Sequence, residues 1–246
     1  MRTSTAVAAK SGDRRPTGES LGAMRPPRPP VGRDPVSVMC APEEAASWEW
    51  ELDAFAPPGL DSALATAVRM SEVLREHGLL RPDSLRWRWF VKGRGSVGTT
   101  ELAVPESPTE GELSRGIAGS RPVAHPNAEV GALRMSGTGS WFDAEGAERR
   151  ERDLVVLTVY PEERHLAAEV AVFHDIWGYC DFRGEPHPKV QARNAPRLAS
   201  ALRALERLLG TAPEPGEATY FGRADGYGPA MPDLIDGKGP DLTDRL

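Results

Sequence analysis

Apolar and polar residues alternate along the first patterned stretch of the chain, which reads SWEWELDAF. Trp48, Trp50 and Leu52 fall on one side of an extended chain, and Glu49 and Glu51 fall on the other. A period of two predicts a strand with one buried face and one solvent face. The stretch SLRWRWF repeats the alternation, with arginines in place of the acids. We predict that the two strands share a core face and lie close enough for their charges to pair.

A period near 3.6 residues marks two helices. DSALATAVRMSEVLREHG carries an apolar stripe and ends at a glycine, and RNAPRLASALRALERLLG carries a stronger stripe. In the second segment Asn194 is the predicted N-cap, Pro196 lies in the first turn and Gly210 ends the helix. A shorter helix is predicted over 109–118.

The remaining β-rich runs predict hairpins. DLVVLTVY and HLAAEVAVF flank a turn at 161–164, and residues 129–146 are predicted to form a second hairpin that turns at Gly137–Gly139. Because strands come in runs and helices are few, the predicted fold class is α+β. We expect an antiparallel or mixed sheet of about five to seven strands, with two main helices packed on one face.

Composition divides the chain into regions. Residues 1–38 are rich in proline and arginine, and they predict a disordered tail because they cannot bury enough apolar surface to offset the entropy of ordering. Residues 39–246 are predicted to form a single α+β domain. Within it, residues 211–246 are predicted to be a loop-rich, acidic C-terminal extension.

Charge narrows the choice of partners. The chain has a formal net charge of -6, and its N-terminal tail is basic, so the rest of the chain is more acidic than the total suggests. An acidic body disfavours nucleic acid, whose affinity depends on Lys and Arg neutralising phosphates, and it suits a basic protein partner. We predict that the binding residues are carboxylates: Asp233, Asp236 and Asp241 of the extension, with Glu49 and Glu51.

The sequence predicts a reduced, cytoplasmic protein without a membrane span. Its 2 cysteines, Cys40 and Cys180, are far apart along the chain and do not make a disulfide framework. No apolar run reaches the roughly 20 residues that a membrane helix needs, and the basic N-terminus lacks the apolar core of a signal peptide.

The segment GRGSVG, residues 93–98, matches the G-x-G-x-x-G pattern of dinucleotide-binding loops. That chemistry requires a helix directly after the loop, which brings backbone N–H groups to the pyrophosphate. Here the β-rich run TTELAV follows instead. We therefore interpret these glycines as a hairpin turn, and we predict no cofactor.

The densest group of reactive side chains is FHDIWGYCDFRGEPHP, residues 173–188. As an enzyme site it would use His174, Asp175, Cys180 and His187, with the thiol as nucleophile and a histidine as base. As a zinc site it lacks standard ligand spacing, so no metal is predicted. A continuing strand would also place His174 and Asp175 on opposite faces. The pattern therefore favours the end of a strand that turns toward the last helix.

Three segments, FHDIWGYCDFRG, RNAPRLASALRALERLLG and TYFGRADGYG, resemble uncharacterised small proteins of GC-rich, actinobacterial-type bacteria. In size, acidity and α+β pattern the whole body resembles the immunity proteins of bacterial polymorphic toxin systems. This resemblance implies a binding protein that blocks the active site of a toxin by surface complementarity. It assigns no functional residue.

Two functions of different classes follow. The first is a non-enzymatic protein-binding module, in its most specific form an immunity protein that neutralises a basic toxin through exposed carboxylates. The alternative is a small cytoplasmic hydrolase-like enzyme centred on residues 174–187. The absence of Walker A, H-E-x-x-H, G-x-S-x-G and paired C-x-x-C motifs favours the first.

Overall fold

The computed structural model describes residues 38–246, which belong to one compact unit. The predicted disordered tail therefore lies outside the described residues, apart from its last position. The strands are β1 (Ala46–Glu51), β2 (Arg81–Val91), β3 (Gly95–Ala103), β4 (Glu129–Val130), β5 (Leu133–Phe142), β6 (Glu148–Arg152), β7 (Val156–Pro161), β8 (Leu166–Val172), β9 (Glu214–Pro215), β10 (Ala224–Asp225) and β11 (Gly228–Pro229). The helices are α1 (Leu60–Glu76), α2 (Glu110–Gly119) and α3 (Pro188–Leu209), with short 3-10 turns at Asp175–Trp177 and Thr243–Arg245.

Strands β1 to β9 form one sheet in which every described pair is antiparallel. The strand order is β3-β2-β5-β7-β8-β1-β9, with β4 beside β2 and β6 beside β5. The 9-stranded sheet exceeds the prediction of about five to seven strands because β4 and β9 are only 2 residues long, too short for a hydrophobic period to mark them. Strands β10 and β11 form a separate small hairpin.

All three helices cover the same face of the sheet. Their buried side chains join those of the strands in one apolar cluster. Val156, Ala171 and Phe173, which alternate with core residues along the chain, form a separate small cluster on the other face. Helix α2 starts at a capping box, in which the Thr109 hydroxyl accepts a hydrogen bond from Glu112 N. The α+β prediction is confirmed, and α2 (Glu110–Gly119) nearly coincides with the shorter helix predicted over 109–118.

The two tryptophan strands, β1 and β2, share the core face as predicted, but they are not neighbours. Strands β5, β7 and β8 lie between them, so the predicted pairing of their charges is wrong. Arg86 of β2 instead pairs with Glu101 of β3, at 2.9 Å. Alternation specifies which face a side chain occupies, but it does not specify which strand lies alongside.

Gly137 and Gly139 lie inside strand β5, and the prediction of a turn there is wrong. A Cβ atom at Gly137 would lie 2.0 Å from the carbonyl oxygen of Arg81, and one at Gly139 would lie 2.2 Å from that of Leu79. The two glycines therefore let the chain entering β2 approach the backbone of β5 closely. The actual turn, residues 143–147, connects β5 to β6.

Two other predicted turns are confirmed. Residues 92–94 connect β2 to β3, so the turn includes the first two residues of GRGSVG, and the next element is a strand, not a helix. Residues 162–165 connect β7 to β8, which pair in register as the sequence predicts for a hairpin.

Helix α3 begins earlier than the sequence predicts. It starts at Pro188. A proline is well tolerated in the first turn, because the N–H groups of that turn make no hydrogen bond within the helix. Asn194 is therefore not the N-cap. Its fully buried amide is bonded instead to the backbone N and O of Phe142, at 2.9 and 2.8 Å. Gly210 ends the helix as predicted, in a left-handed conformation with φ of 74°.

The extension after α3 returns to the start of the sheet. Strand β9 pairs with β1, and the indole N–H of Trp48 donates to the carbonyl oxygen of Gly226 at 2.7 Å. Phe221 packs edge-on against Phe182, with ring centroids 5.4 Å apart. None of the helices within 38–246 is long and apolar enough to cross a membrane.

Candidate functional site

A cleft of about 450 Å³ lies between two segments that are distant in sequence. One wall is the stretch 174–182, which follows β8. The other is the C-terminal extension, which contributes residues between 218 and 242. The volume is in the range of pockets that hold small ligands.

Local hydrogen bonds fix the shape of the first wall. Strand β8 ends at Val172, and the 3-10 turn at Asp175–Trp177 follows at once. The Asp181 carboxylate then accepts hydrogen bonds from Arg183 N and Glu185 N, both at 2.9 Å, which closes a tight turn before α3. The backbone of the extension also bonds to this segment, because Leu242 N donates to the carbonyl oxygen of Phe182 at 2.8 Å and Gly239 N to that of Gly184 at 2.9 Å.

Three of the four predicted catalytic residues line this cleft. They are His174, Asp175 and Cys180. His174 and Asp175 do not fall on opposite faces of a strand, because the strand has already ended at Val172. His187 is not among the lining residues; it precedes α3, and its Nε2 lies 3.0 Å from the carbonyl oxygen of Gly178.

Asp175 is the most perturbed acid in the cleft. Its residue is only 4% exposed, and burial raises the pKa of its carboxyl group to about 7, with a further contribution from the nearby Asp181. Met39 N donates to Oδ1 at 3.3 Å, and this bond together with backbone N–H groups of Phe182 and Asp175 lowers the pKa in part, without cancelling the effect of burial. At neutral pH this carboxyl group is divided between its protonated and ionised forms.

His174, beside it, is buried and neutral. Burial lowers the pKa of its imidazole, because an imidazolium ion would lose its hydration. Its Nδ1 has no hydrogen-bond partner among the described residues. The indole N–H groups of the buried Trp50 and Trp87 also have no partner there, so this feature is not confined to the cleft.

Cys180 lacks the environment of an activated nucleophile. Burial raises the pKa of its thiol, and Asp181 and Glu185 raise it further. Reactive cysteines usually lie near positive charge, which lowers the thiol pKa. Within residues 38–246 no group of three or more His, Cys, Asp or Glu side chains is placed to hold a metal ion.

The predicted carboxylates of the extension differ in their surroundings. Asp233 lines the cleft and is exposed. Asp236 is exposed in the turn Ile235–Lys238 and has a positive φ of 51°. Asp241 accepts hydrogen bonds from the backbone N and the hydroxyl of Thr243, at 3.0 and 2.7 Å, which lower the pKa of its carboxyl group.

Exposed apolar side chains are concentrated in the same extension, a feature that the sequence analysis missed. Of the 7 large hydrophobic residues that are exposed within 38–246, these 5 belong to it: Tyr220, Met231, Leu234, Ile235 and Leu246. Tyr220 and Met231 line the cleft. No helix or strand period runs through the extension, so the sequence pattern does not show which of its apolar residues are buried.

Glu49 and Glu51 lie elsewhere, on the face of the sheet away from the helices. Both are exposed, as predicted. Antiparallel register places Glu49 beside Glu169 of β8 and Glu214 of β9, which makes a row of three glutamates. Burial raises the pKa of Glu169, and Glu44 and Glu49 add to this, while the Tyr160 hydroxyl donates to it at 2.8 Å.

Comparisons with protein-family models, with curated proteins and with solved structures give no match for this chain. No site residue is therefore carried over from a relative, and the chemistry of the cleft and of the extension rests on the geometry described above.

Proposed function

We propose that this chain is a non-enzymatic protein-binding module whose C-terminal extension docks a basic partner. The observation that carries the proposal is the concentration of exposed apolar side chains in the extension, 5 of the 7 in the described part of the chain. Exposed apolar side chains that are concentrated in one segment, with carboxylates among them, suit a protein interaction surface better than singly scattered ones do.

The carboxylates of the extension would make this surface prefer basic partners to acidic ones. Asp233 and Asp236 are exposed on either side of Leu234 and Ile235, so apolar contact and negative charge share one short segment. In such a surface the apolar side chains supply most of the affinity, and the charges speed association with a basic partner and disfavour acidic ones. Glu49 and Glu51, on the face of the sheet away from the helices, extend the acidic character of the body.

An immunity role is the most specific form of this proposal. The acidic body and the exposed carboxylates suit a protein that covers the basic active-site cleft of a toxin. The resemblance to immunity proteins in size, acidity and α+β pattern is consistent with the same role. The contact would neutralise the toxin by blocking access to its substrate, with no chemistry on either side.

Capture of the partner by matched variants tests the proposal. The full chain is immobilised and exposed to lysate of its own organism, and two variants are treated in the same way. Ile235→Ser removes an aliphatic side chain of the extension that is 79% exposed, and the control Val123→Ser removes one outside it that is 97% exposed. We expect the unmodified chain and Val123→Ser to retain one basic protein in stoichiometric amount at low salt, and Ile235→Ser to lose it.

A second comparison tests the role of charge. A double variant, Asp233→Asn with Asp236→Asn, is compared with the control Glu72→Gln, which removes an exposed carboxylate from α1. Loss of the captured protein at high salt and in the aspartate variant is the expected result. Equal retention of a protein by all variants, or no retained protein at all, would contradict the proposal.

The hydrolase-like alternative stays a second candidate, because His174, Asp175 and Cys180 share one cleft. It requires a reactive thiolate, and the raised pKa of Cys180 opposes that. We predict that iodoacetamide alkylates Cys180 more slowly than a free cysteine peptide at neutral pH. Alkylation of Cys180 faster than the peptide, read by mass spectrometry against Cys40, would restore the enzyme hypothesis.

A further inference from the structure

Asp175 is a buried acid without a cationic partner in the part of the chain that the structure describes. It lines the cleft, it is 4% exposed, and no lysine or arginine forms an ion pair with it there. Buried carboxylates are normally paired, because an isolated charge in a protein interior is costly. A cation brought by a ligand would supply the missing partner.

The neighbouring side chains do not compete for that role. Burial lowers the pKa of His174, so its ring carries no positive charge near neutral pH, and its Nδ1 has no hydrogen-bond partner. Arg223 also lines the cleft, but it is exposed to solvent, where water screens its charge. The interior of the cleft therefore presents acidic and neutral polar groups.

The rest of the lining suits an apolar body. Tyr179, Phe182, Tyr220, Phe221 and Met231 line the cleft together with several prolines and alanines. Aromatic rings attract cations to their faces as well as apolar groups, and both interactions strengthen when water is excluded. Asp233, exposed at the same cleft, adds a second carboxylate near its opening.

We propose that the cleft binds a small organic cation, an amine carried on an apolar body, with the Asp175 carboxylate as its counter-ion. The cleft volume of about 450 Å³ accommodates a ligand of this class. This inference goes beyond the proposed protein partner, although Tyr220, Met231 and Asp233 of the extension would serve both. Asp175 lines the cleft and Ile235 does not, so amine binding by Asp175→Asn and partner capture by Ile235→Ser distinguish the failure of one proposal from the failure of the other.

Three probes that share a phenyl body test the charge requirement: 2-phenylethylamine, 2-phenylethanol and phenylacetate. Each is titrated into the full chain at about pH 8, where Asp175 is mostly ionised and the amine is still protonated, and binding is followed by NMR. We expect saturable binding of the amine, with a Kd below about 10 mM, and binding of the alcohol and the acid that is at least about tenfold weaker.

Variants then test whether Asp175 is the residue whose charge holds the amine. We expect Asp175→Asn to weaken binding of 2-phenylethylamine by about tenfold or more, because it keeps the shape of the side chain and removes its charge. Glu72→Gln, which removes a carboxylate from the exposed surface of α1, should change the affinity less than about twofold. A thermal melt of each variant verifies that it is folded.

Several results would overturn the inference. Binding of the alcohol or the acid as tight as that of the amine would remove the cation requirement. No saturable binding of the amine up to about 10 mM would remove the ligand class itself. Unchanged amine affinity in folded Asp175→Asn would remove the counter-ion. If that variant does not fold, the discrimination among the three probes by the unmodified chain decides.

Discussion

The core beneath the helices and the cleft beside the extension use the same residue types in opposite ways. In the core, aromatic and aliphatic side chains from the sheet and all three helices are enclosed, and the charged residues of the strands face solvent. In the cleft an acid and a histidine are buried, while Tyr220 and Met231 are exposed. The core gains free energy from the burial of apolar side chains, whereas the cleft buries two ionisable groups at a cost in desolvation. This contrast separates the part of the chain that stabilises the fold from the part for which we propose binding.

The largest expected change in stability comes from truncating an aromatic residue of the core, compared with truncating one at the cleft. Trp87 is 1% exposed and Tyr220 is 48% exposed. We expect Trp87→Ala to lower the free energy of unfolding by about 3–5 kcal/mol, because it leaves a large cavity. Tyr220→Ala should cost about 1 kcal/mol or less, since its ring is half in solvent. Chemical denaturation of the two variants measures both values, and similar losses would show that the extension is as much a part of the core as β2.

The core side of the contrast was largely predictable from sequence, and the cleft side was not. The alternation around Trp48 and Trp87 specifies buried faces, because period two is a property of each strand alone. The order of the strands and the close approach at Gly137 depend on contacts between distant segments, so the local pattern misplaced both. The cleft also depends on contacts between distant segments, since one of its walls ends at Phe182 and the other begins at Ala218.

Residues of the cleft were nonetheless found in part. His174, Asp175 and Cys180 stood out because reactive side chains are dense in one short stretch. The burial of His174 and Asp175 could not be predicted, because it involves a segment that is distant in the chain: Cys40 pairs with His174, and Met39 bonds to Asp175. The exposed Met231 and Ile235 were missed because an isolated apolar residue in a loop looks alike whether it packs or faces solvent.

Asp175 tests the cleft side through the pH dependence of stability. The unfolded chain releases this proton near pH 4, as free aspartic acid does, whereas the folded chain holds it until about pH 7. Between these values the folded state binds more protons than the unfolded state, so the free energy of unfolding falls as the pH rises. The amide in Asp175→Asn does not ionise, so the variant does not lose stability in this way as the pH rises.

We therefore expect Asp175→Asn to gain stability relative to the unmodified chain by roughly 2–3 kcal/mol between about pH 5 and pH 8. Burial lowers the pKa of His174 and His187, which acts in the opposite direction at acidic pH, but both histidines are present in the two proteins and largely cancel in the difference. Denaturant titrations at the two pH values measure it. A difference that is independent of pH would mean that Asp175 ionises normally and is accessible to water.

A pair of glycines gives the next smaller effect. A Cβ at Gly139 of β5 would meet the backbone oxygen of Leu79 at 2.2 Å, whereas one at Gly228 of β11 would have no atom within 4 Å. We expect Gly139→Ala to lower the free energy of unfolding by about 1–3 kcal/mol, because the strands must move apart. Gly228→Ala should be close to neutral or slightly stabilising. Equal effects of the two would show that the backbones of β5 and the chain entering β2 are not packed this tightly.

Ile235 carries the smallest expected change in stability and therefore separates binding from folding most cleanly. Its side chain is 79% exposed, so Ile235→Ser removes little buried area, and the free energy of unfolding should change by less than about 0.5 kcal/mol. The same substitution is expected to abolish capture of a basic partner. Thermal melts of the free protein measure the first quantity. A loss of about 2 kcal/mol or more would mean that Ile235 is packed in solution, and that the extension closes over the body instead of offering its apolar residues to a partner.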